Sequence, residues 1–275
     1  MEIQNETWLI RHPVSASIIL VGLYLLFILL APNIAVLEGP PGEVGYAFFI
    51  IGSATQALLW LVVVPRFLGL PDGKQPLKEY LRKIRLLQYS PAKRNLLLTV
   101  LCMIIILISG FVFSVLTGYY VFDLAQVLPP QSTSLFVGFV PGIWEEIAWR
   151  GVILTLFLKK YGEKESMAIS SFLFSAPHLL NLLGVAVTAD MILMAMAQLV
   201  YAFLLGLVFA YLVLRTGSLL PSIIIHYFIV AIGPLFIFTP GADPLIKSIM
   251  LMLGAGIIPA ILCILLIHTF HRYKL

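Results

Sequence analysis

Residues 141–151 read Pro141-Gly-Ile-Trp-Glu-Glu-Ile-Ala-Trp-Arg-Gly151 and lie in a segment otherwise apolar from Leu135 to Leu158. That length is enough to cross a bilayer as a helix, which takes about 17–25 residues. Glu145, Glu146 and Arg150 then sit where an ionisable side chain costs about 2.5–3.5 kcal/mol on insertion scales. On a helix Glu146 and Arg150 stand four apart and face each other, so a structural ion pair accounts for both. Glu145 points about 100° away and is left without such an explanation. It is the first candidate for chemistry.

The rest of the chain fits a membrane setting. Of its 275 residues 61% are hydrophobic and 11% charged, with a mean hydropathy of +1.04. Soluble domains carry about 25% charged residues. The sequence therefore reads as a multi-pass membrane protein. Apolar runs near 15–36, 44–64, 95–117, 134–158, 167–184, 191–214, 219–238 and 246–269 predict an all-α bundle of about eight transmembrane helices. The first run is too long for a signal-peptide core and is expected to stay as an anchor. No repeat or linker divides the chain, so 1–275 is one domain with its motif-bearing core at about 134–238. Cys102 and Cys263 fall in separate apolar runs and read as small packing residues.

Charge sets the expected orientation. The 66–94 loop holds Arg66, Lys74, Lys78, Arg82, Lys83, Arg85, Lys93 and Arg94 against Asp72 and Glu79, which marks it as cytoplasmic. Alternation puts Arg11, Lys159, Lys160, Lys164, Arg215, Arg272 and Lys274 on the same side, with both termini cytoplasmic. Glu38, Glu43, Asp123, Asp190 and Asp243 fall opposite, with Lys247. In the basic loop Leu77, Tyr80, Leu81, Ile84 and Leu87 recur at helical spacing. They predict an amphipathic helix at the membrane surface or, more simply, a topogenic loop.

Two histidines share the depth of Glu145. With a rise of about 1.5 Å per residue, Glu145 lies about 21 Å before Lys159, His178 about 21 Å after Lys164, and His226 about 16 Å after Arg215. Three polar residues in one layer imply a shared site. Pro141 and Pro177 lie beside them, each removing a backbone donor and freeing the carbonyl four residues earlier, at Val137 and Leu173. Loosened backbone at that depth survives beside protein or a water-filled cavity.

A carboxylate with two imidazoles suffices for attack of water on an amide. Glu145 would be the general base, His178 would orient the water, and His226 would donate to the oxyanion. The same three side chains could instead hold a catalytic Zn²⁺ as a His₂Glu set. No HExxH pair is present.

Glu145-Glu146-x-x-x-Arg150, then Phe174-x-x-x-His178, then a Thr-Gly-Ser-Leu segment leading to His226, resemble the CAAX-protease and bacteriocin-processing (CPBP, or Abi) family. These intramembrane endopeptidases include the type II CAAX prenyl proteases. The resemblance implies peptide-bond hydrolysis without a metal cofactor, an eight-helix fold, and a prenylated or otherwise hydrophobic peptide substrate. It implies the same roles for Glu145, His178 and His226, with Glu146, Arg150 and Phe174 in support. Nothing points to a nucleic-acid partner. The family's last motif commonly has an asparagine four residues after the final histidine, where this chain has Val230. Asn181, three residues after His178, could supply the missing donor if the helix is continuous there, or it simply caps the end of that helix ahead of Gly184. A weakened or non-proteolytic relative, such as a bacteriocin-immunity or scaffold protein, is the alternative. A transporter is a further one, since buried carboxylates also mark ion pathways.

Overall fold

The computed structural model describes residues 7–36, 44–88, 92–118, 120–122, 138–183, 187–233, 236–239, 241 and 243–272. Helices α1 (Trp8–Arg11) and α2 (Pro13–Val36) come first, followed by α3 (Val44–Leu58), which runs into a π-helical stretch, Leu59–Leu68. Pro65 in that stretch has no N–H for an α-helical bond. Gly69, at φ 63°, ends it. After α4 (Leu77–Lys83) and α5 (Ala92–Thr117), the tandem-glutamate segment forms two π-helical stretches, Val140–Glu145 and Ile147–Ile153. It finishes as α6 (Leu154–Leu158). Next come α7 (Glu163–Ser175), a 3₁₀ segment (Ala176–Leu182), α8 (Ala189–Thr216) and α9 (Leu220–Ile232). Helix α10 (Pro244–Leu251) then continues through a π-helical stretch, Met252–Ile257, into α11 (Ile258–Arg272).

Four helical stretches are long and apolar enough to cross a membrane: Ile50–Leu68, Lys93–Thr117, Ala189–Thr216 and Pro244–Arg272. Pro13–Phe27 and Leu220–Ile232 are shorter apolar helices. The molecule is a multi-span helical membrane protein. Helix α5 shows what its solvent is. Leu96, Leu97, Val100, Ile104, Ile108, Phe111 and Val115 are exposed at helical spacing, a stripe suited to lipid.

The structure corrects the sequence reading in three places. The run near 219–238 is helical only to Ile232, just before Gly233-Pro234, where a pre-proline residue disfavours helix. Phe236–Phe238 instead pairs antiparallel with Tyr120–Phe122, Tyr120 opposite Phe238. The expected surface helix is short, and its Tyr80 and Ile84 are fully buried in the protein core. Ile84 packs over Gly151, while the Arg85 carbonyl accepts from Leu219 N at 3.1 Å. The basic loop is thus a folded cap beneath α6 and α9. The two cysteines are free and buried, as expected of small packing residues, with Cys263 Sγ 3.8 Å from the Cys102 carbonyl oxygen. Finally, the helix through Asn181 is not a continuous α-helix. Glu38, Glu43, Asp123, Lys274 and Val137 lie outside the described residues.

Two buried clusters flank the centre. One gathers Trp60, Val64, Tyr80, Ile84, Trp149, Val152, Phe157 and Phe174; the other gathers Cys102, Phe209, Leu212, Ile225, Cys263 and Ile267. Phe174 belongs to one and Phe209 to the other, and the polar residues lie where they meet.

Candidate active site

Close helix contact comes before the chemistry. A Cβ on Gly142 would stand 2.9 Å from both Cα and Cβ of Tyr227, so only glycine lets the tandem-glutamate segment approach α9 this closely. Gly206 does the same on α8, where an added Cβ would meet Ser171 Cβ at 2.9 Å and Arg150 Nη2 at 3.2 Å. Ser166, Ser170, Ser171 and Ser175 bring a small-residue face of α7 into the core. Ser170 Oγ donates to the Trp149 carbonyl at 2.8 Å, satisfying an acceptor within the π-helical turn.

Glu146 and Arg150 are both fully buried, with Arg150 Nη1 donating to Glu146 Oε1 at 3.0 Å. His226 Nδ1 reaches the same oxygen at 2.9 Å. Phe174 lies 4.1 Å and Phe209 5.1 Å from the Arg150 guanidinium carbon, ring faces toward the cation. The Phe209 ring also stacks on His226 at 5.5 Å, and Phe174 meets it edge-on at 5.7 Å. His226 is therefore packed by two aromatic rings and held at one nitrogen.

Glu145 faces the other way. Its Oε1 accepts from the Tyr24 hydroxyl at 2.7 Å, and its Oε2 lies 3.9 Å from His226 Nε2. Its side chain is 19% exposed where that of Glu146 is 0%. Tyr24 comes from α2 and is itself held edge-on by Trp149 at 5.7 Å. His178 sits on the 3₁₀ segment, its Nδ1 directed at the Ser175 carbonyl at 3.1 Å. Pro177, with no N–H to give, stands where α7 gives way to that tighter turn.

Glu145, His178 and His226 line one cavity of about 160 Å³, together with Pro141, Phe174, Gln198, Tyr201, Phe209 and Val230. Asn181 does not line it. Its amide donates to Gln198 Oε1 at 3.1 Å and borders a separate cavity of about 310 Å³. The 3₁₀ geometry redirects it, so the expectation that Asn181 stands in for the missing donor is corrected. Val230 does form part of the wall, also facing an apolar cavity of about 400 Å³. Sequence reasoning missed Tyr24, which carries no local signal in an apolar run. It also missed Gln198, the one carboxamide in α8.

Residues 130–232 match the model of the family described as Rce1-like, type II CAAX prenyl endopeptidase Rce1-like. The matched domain covers less than half of the chain. That domain holds Glu145, Glu146, Arg150, His178, Gln198 and His226, whereas Tyr24 reaches into it from outside the matched residues. Comparisons with curated proteins and with solved structures gave no match. The sequence also allowed a zinc site built from Glu145, His178 and His226. Among the described residues no group of three or more His, Cys, Asp or Glu side chains is gathered to hold a metal ion.

Proposed function

We propose that this protein is an intramembrane endopeptidase that crosses the membrane eight times, both ends cytoplasmic, and cleaves a lipidated or membrane-associated peptide. The observation that carries the reading is the cavity where Glu145, His178 and His226 meet at the junction of the two cores. The Rce1-like match supports the reaction class. The neighbouring apolar cavity, which shares Tyr201, Leu205, Ile229 and Val230 with it, suits an apolar chain beside the scissile bond.

Hydrogen bonding assigns the protons. Glu146 Oε1 already accepts from Arg150, so His226 Nδ1 must carry a proton to approach it at 2.9 Å. His178 Nδ1 likewise donates to the Ser175 carbonyl, which leaves its Nε2 as an acceptor when the ring is neutral. Glu146 and Arg150 cancel in charge, so Glu145 and His226 can form a carboxylate–imidazolium pair with no net charge in the site. In that state Nε2–H of His226 is a donor.

Water held by His178 Nε2 gives a proton to Glu145 as its oxygen attacks the carbonyl carbon. The oxyanion accepts from His226 Nε2–H. Glu145 then returns the proton to the amine as the C–N bond breaks, and no external acid is consumed. No metal cofactor is part of this scheme. Purified protein should cleave an internally quenched, prenylated peptide with or without a chelator, and Glu145→Ala should abolish cleavage. Cleavage unchanged in Glu145→Ala, or none by the native protein, would overturn the reading.

A further inference from the structure

We propose that Gln198 is a further catalytic residue, whose side-chain N–H donates to the scissile carbonyl oxygen as it becomes negative. The inference rests on the endopeptidase reading. It starts from a shortage of donors in the cavity. The polar side chains lining it are Glu145, His178, Gln198, Tyr201 and His226. Glu145 is an acceptor and repels an oxyanion. His178 spends Nδ1–H on Ser175, and His226 spends Nδ1–H on Glu146. One N–H of His226 is then all the histidines offer, against an oxyanion with three lone pairs.

Gln198 is built to add to it. Its Oε1 is held by the Asn181 amide at 3.1 Å, which fixes the acceptor end of the carboxamide on the far side of the wall. The two hydrogens of Nε2 therefore point away from Asn181. Along α8, Gln198, Tyr201, Ala202, Leu205 and Phe209 recur at helical spacing and make one wall of the cavity. Phe209, at the other end of that face, stacks on His226. Gln198 and His226 thus flank the same space. A donor held by a second hydrogen bond is oriented before substrate arrives, which is the condition for stabilising charge that appears only in the transition state. Between Asp190 and Arg215, α8 is otherwise apolar apart from its tyrosines, and an amide at that depth has no evident packing advantage over leucine.

The test is steady-state cleavage of the quenched prenylated peptide, combined with binding of a peptide phosphinate that mimics the tetrahedral intermediate. Gln198→Met should lower kcat by about 10²-fold with KM unchanged, and weaken phosphinate binding by the same factor while a substrate-like peptide with a reduced scissile bond binds as before. Asn181→Ala should lower kcat by about 3–10-fold, the worth of one neutral hydrogen bond. Val230→Asn, which adds an amide on the facing wall, should recover part of the loss in Gln198→Met. Should Gln198→Met not fold, Gln198→Glu keeps the size and the Asn181 bond but replaces the donor with an acceptor, and it should be slower than native by at least the same factor. Native kcat in the folded Gln198 variant, or equal losses of phosphinate and substrate-like binding, would overturn the assignment. Glu145-dependent cleavage with native kcat in that variant removes Gln198 alone. Absence of Glu145-dependent cleavage by the native protein overturns the endopeptidase reading and Gln198 with it.

Discussion

The two sides of one helical turn are built differently. Glu146, with Arg150 and His226, is closed off: Glu146 and Arg150 are fully buried, Arg150 and His226 share one Glu146 oxygen, and Phe174 and Phe209 enclose the group. Glu145 is open, with one oxygen held by Tyr24 and the other facing the cavity and His226 Nε2. Burying an ion pair in an apolar interior seldom adds net stability, but removing one partner strands the other charge. The closed side therefore works as a fixture that sets the position of His226. The open side has an acceptor, an imidazole and room for water. Under the proposed function, the contrast makes the tandem glutamates one motif with two separable jobs, framework and chemistry.

The largest expected effect comes from breaking the closed side. Arg150→Ala leaves Glu146 buried without its cation and should destabilise the protein by about 3–5 kcal/mol. Thermal unfolding in detergent should show it as a large drop in midpoint or in folded yield. Next comes the contact that brings the two sides together. Gly142→Ala places a methyl 2.9 Å from the Tyr227 backbone, an overpacking that should cost about 1–3 kcal/mol. It should also lower kcat in the protein that still folds, because the glutamates are pushed off His226.

Smaller effects probe the open side and then the periphery. Tyr24→Phe removes a hydrogen bond to a carboxylate, worth about 1.5–3 kcal/mol, without changing the packed volume. Its expected signature is a fall in kcat of about 10-fold or more with little change in unfolding temperature. An equal loss of stability and rate would make Tyr24 part of the framework instead. The smallest effect is expected at Asp72, beyond the candidate membrane-spanning helices, which pairs with Lys83 at 2.8 Å and with Lys159. Burial raises its pKa, but the two ammonium groups outweigh that and hold it below the ordinary aspartate range. The pair then stabilises the cap fully above about pH 4 and is lost as pH falls through the lowered value. Asp72→Asn should cost at most about 1 kcal/mol at neutral pH, and its difference from native should vanish in acid.

Much of this arrangement was legible in the sequence. The apolar runs located the helices because membrane spans must be long and continuous. The depths of Glu145, His178 and His226 brought them to one layer, and the i, i+4 spacing paired Glu146 with Arg150. What local pattern could not supply were bonds made across the bundle. His226 Nδ1 binds Glu146 over a separation of 80 residues, and Tyr24 reaches Glu145 over 121. Helix type was a second blind spot. The 3₁₀ turn after Ser175 turned Asn181 toward Gln198, where uniform α-helical geometry had aimed it at the cavity. The cap was misjudged because the same apolar face serves lipid or a protein core, and here Gly151 leaves room for Ile84 to enter the core.

The central claim is that two adjacent carboxylates divide framework from chemistry, and one paired measurement tests it. Glu145→Gln and Glu146→Gln should be purified side by side, with the cleavage rate of the prenylated peptide and the unfolding midpoint measured for each. The account predicts that Glu145→Gln keeps the native midpoint and loses cleavage by about 10²–10⁴-fold, the worth of a general base. It predicts that Glu146→Gln, which strands Arg150, loses about 3–5 kcal/mol of stability. A stable, active Glu145→Gln, or an unfolded Glu145→Gln beside a stable and inactive Glu146→Gln, would contradict it.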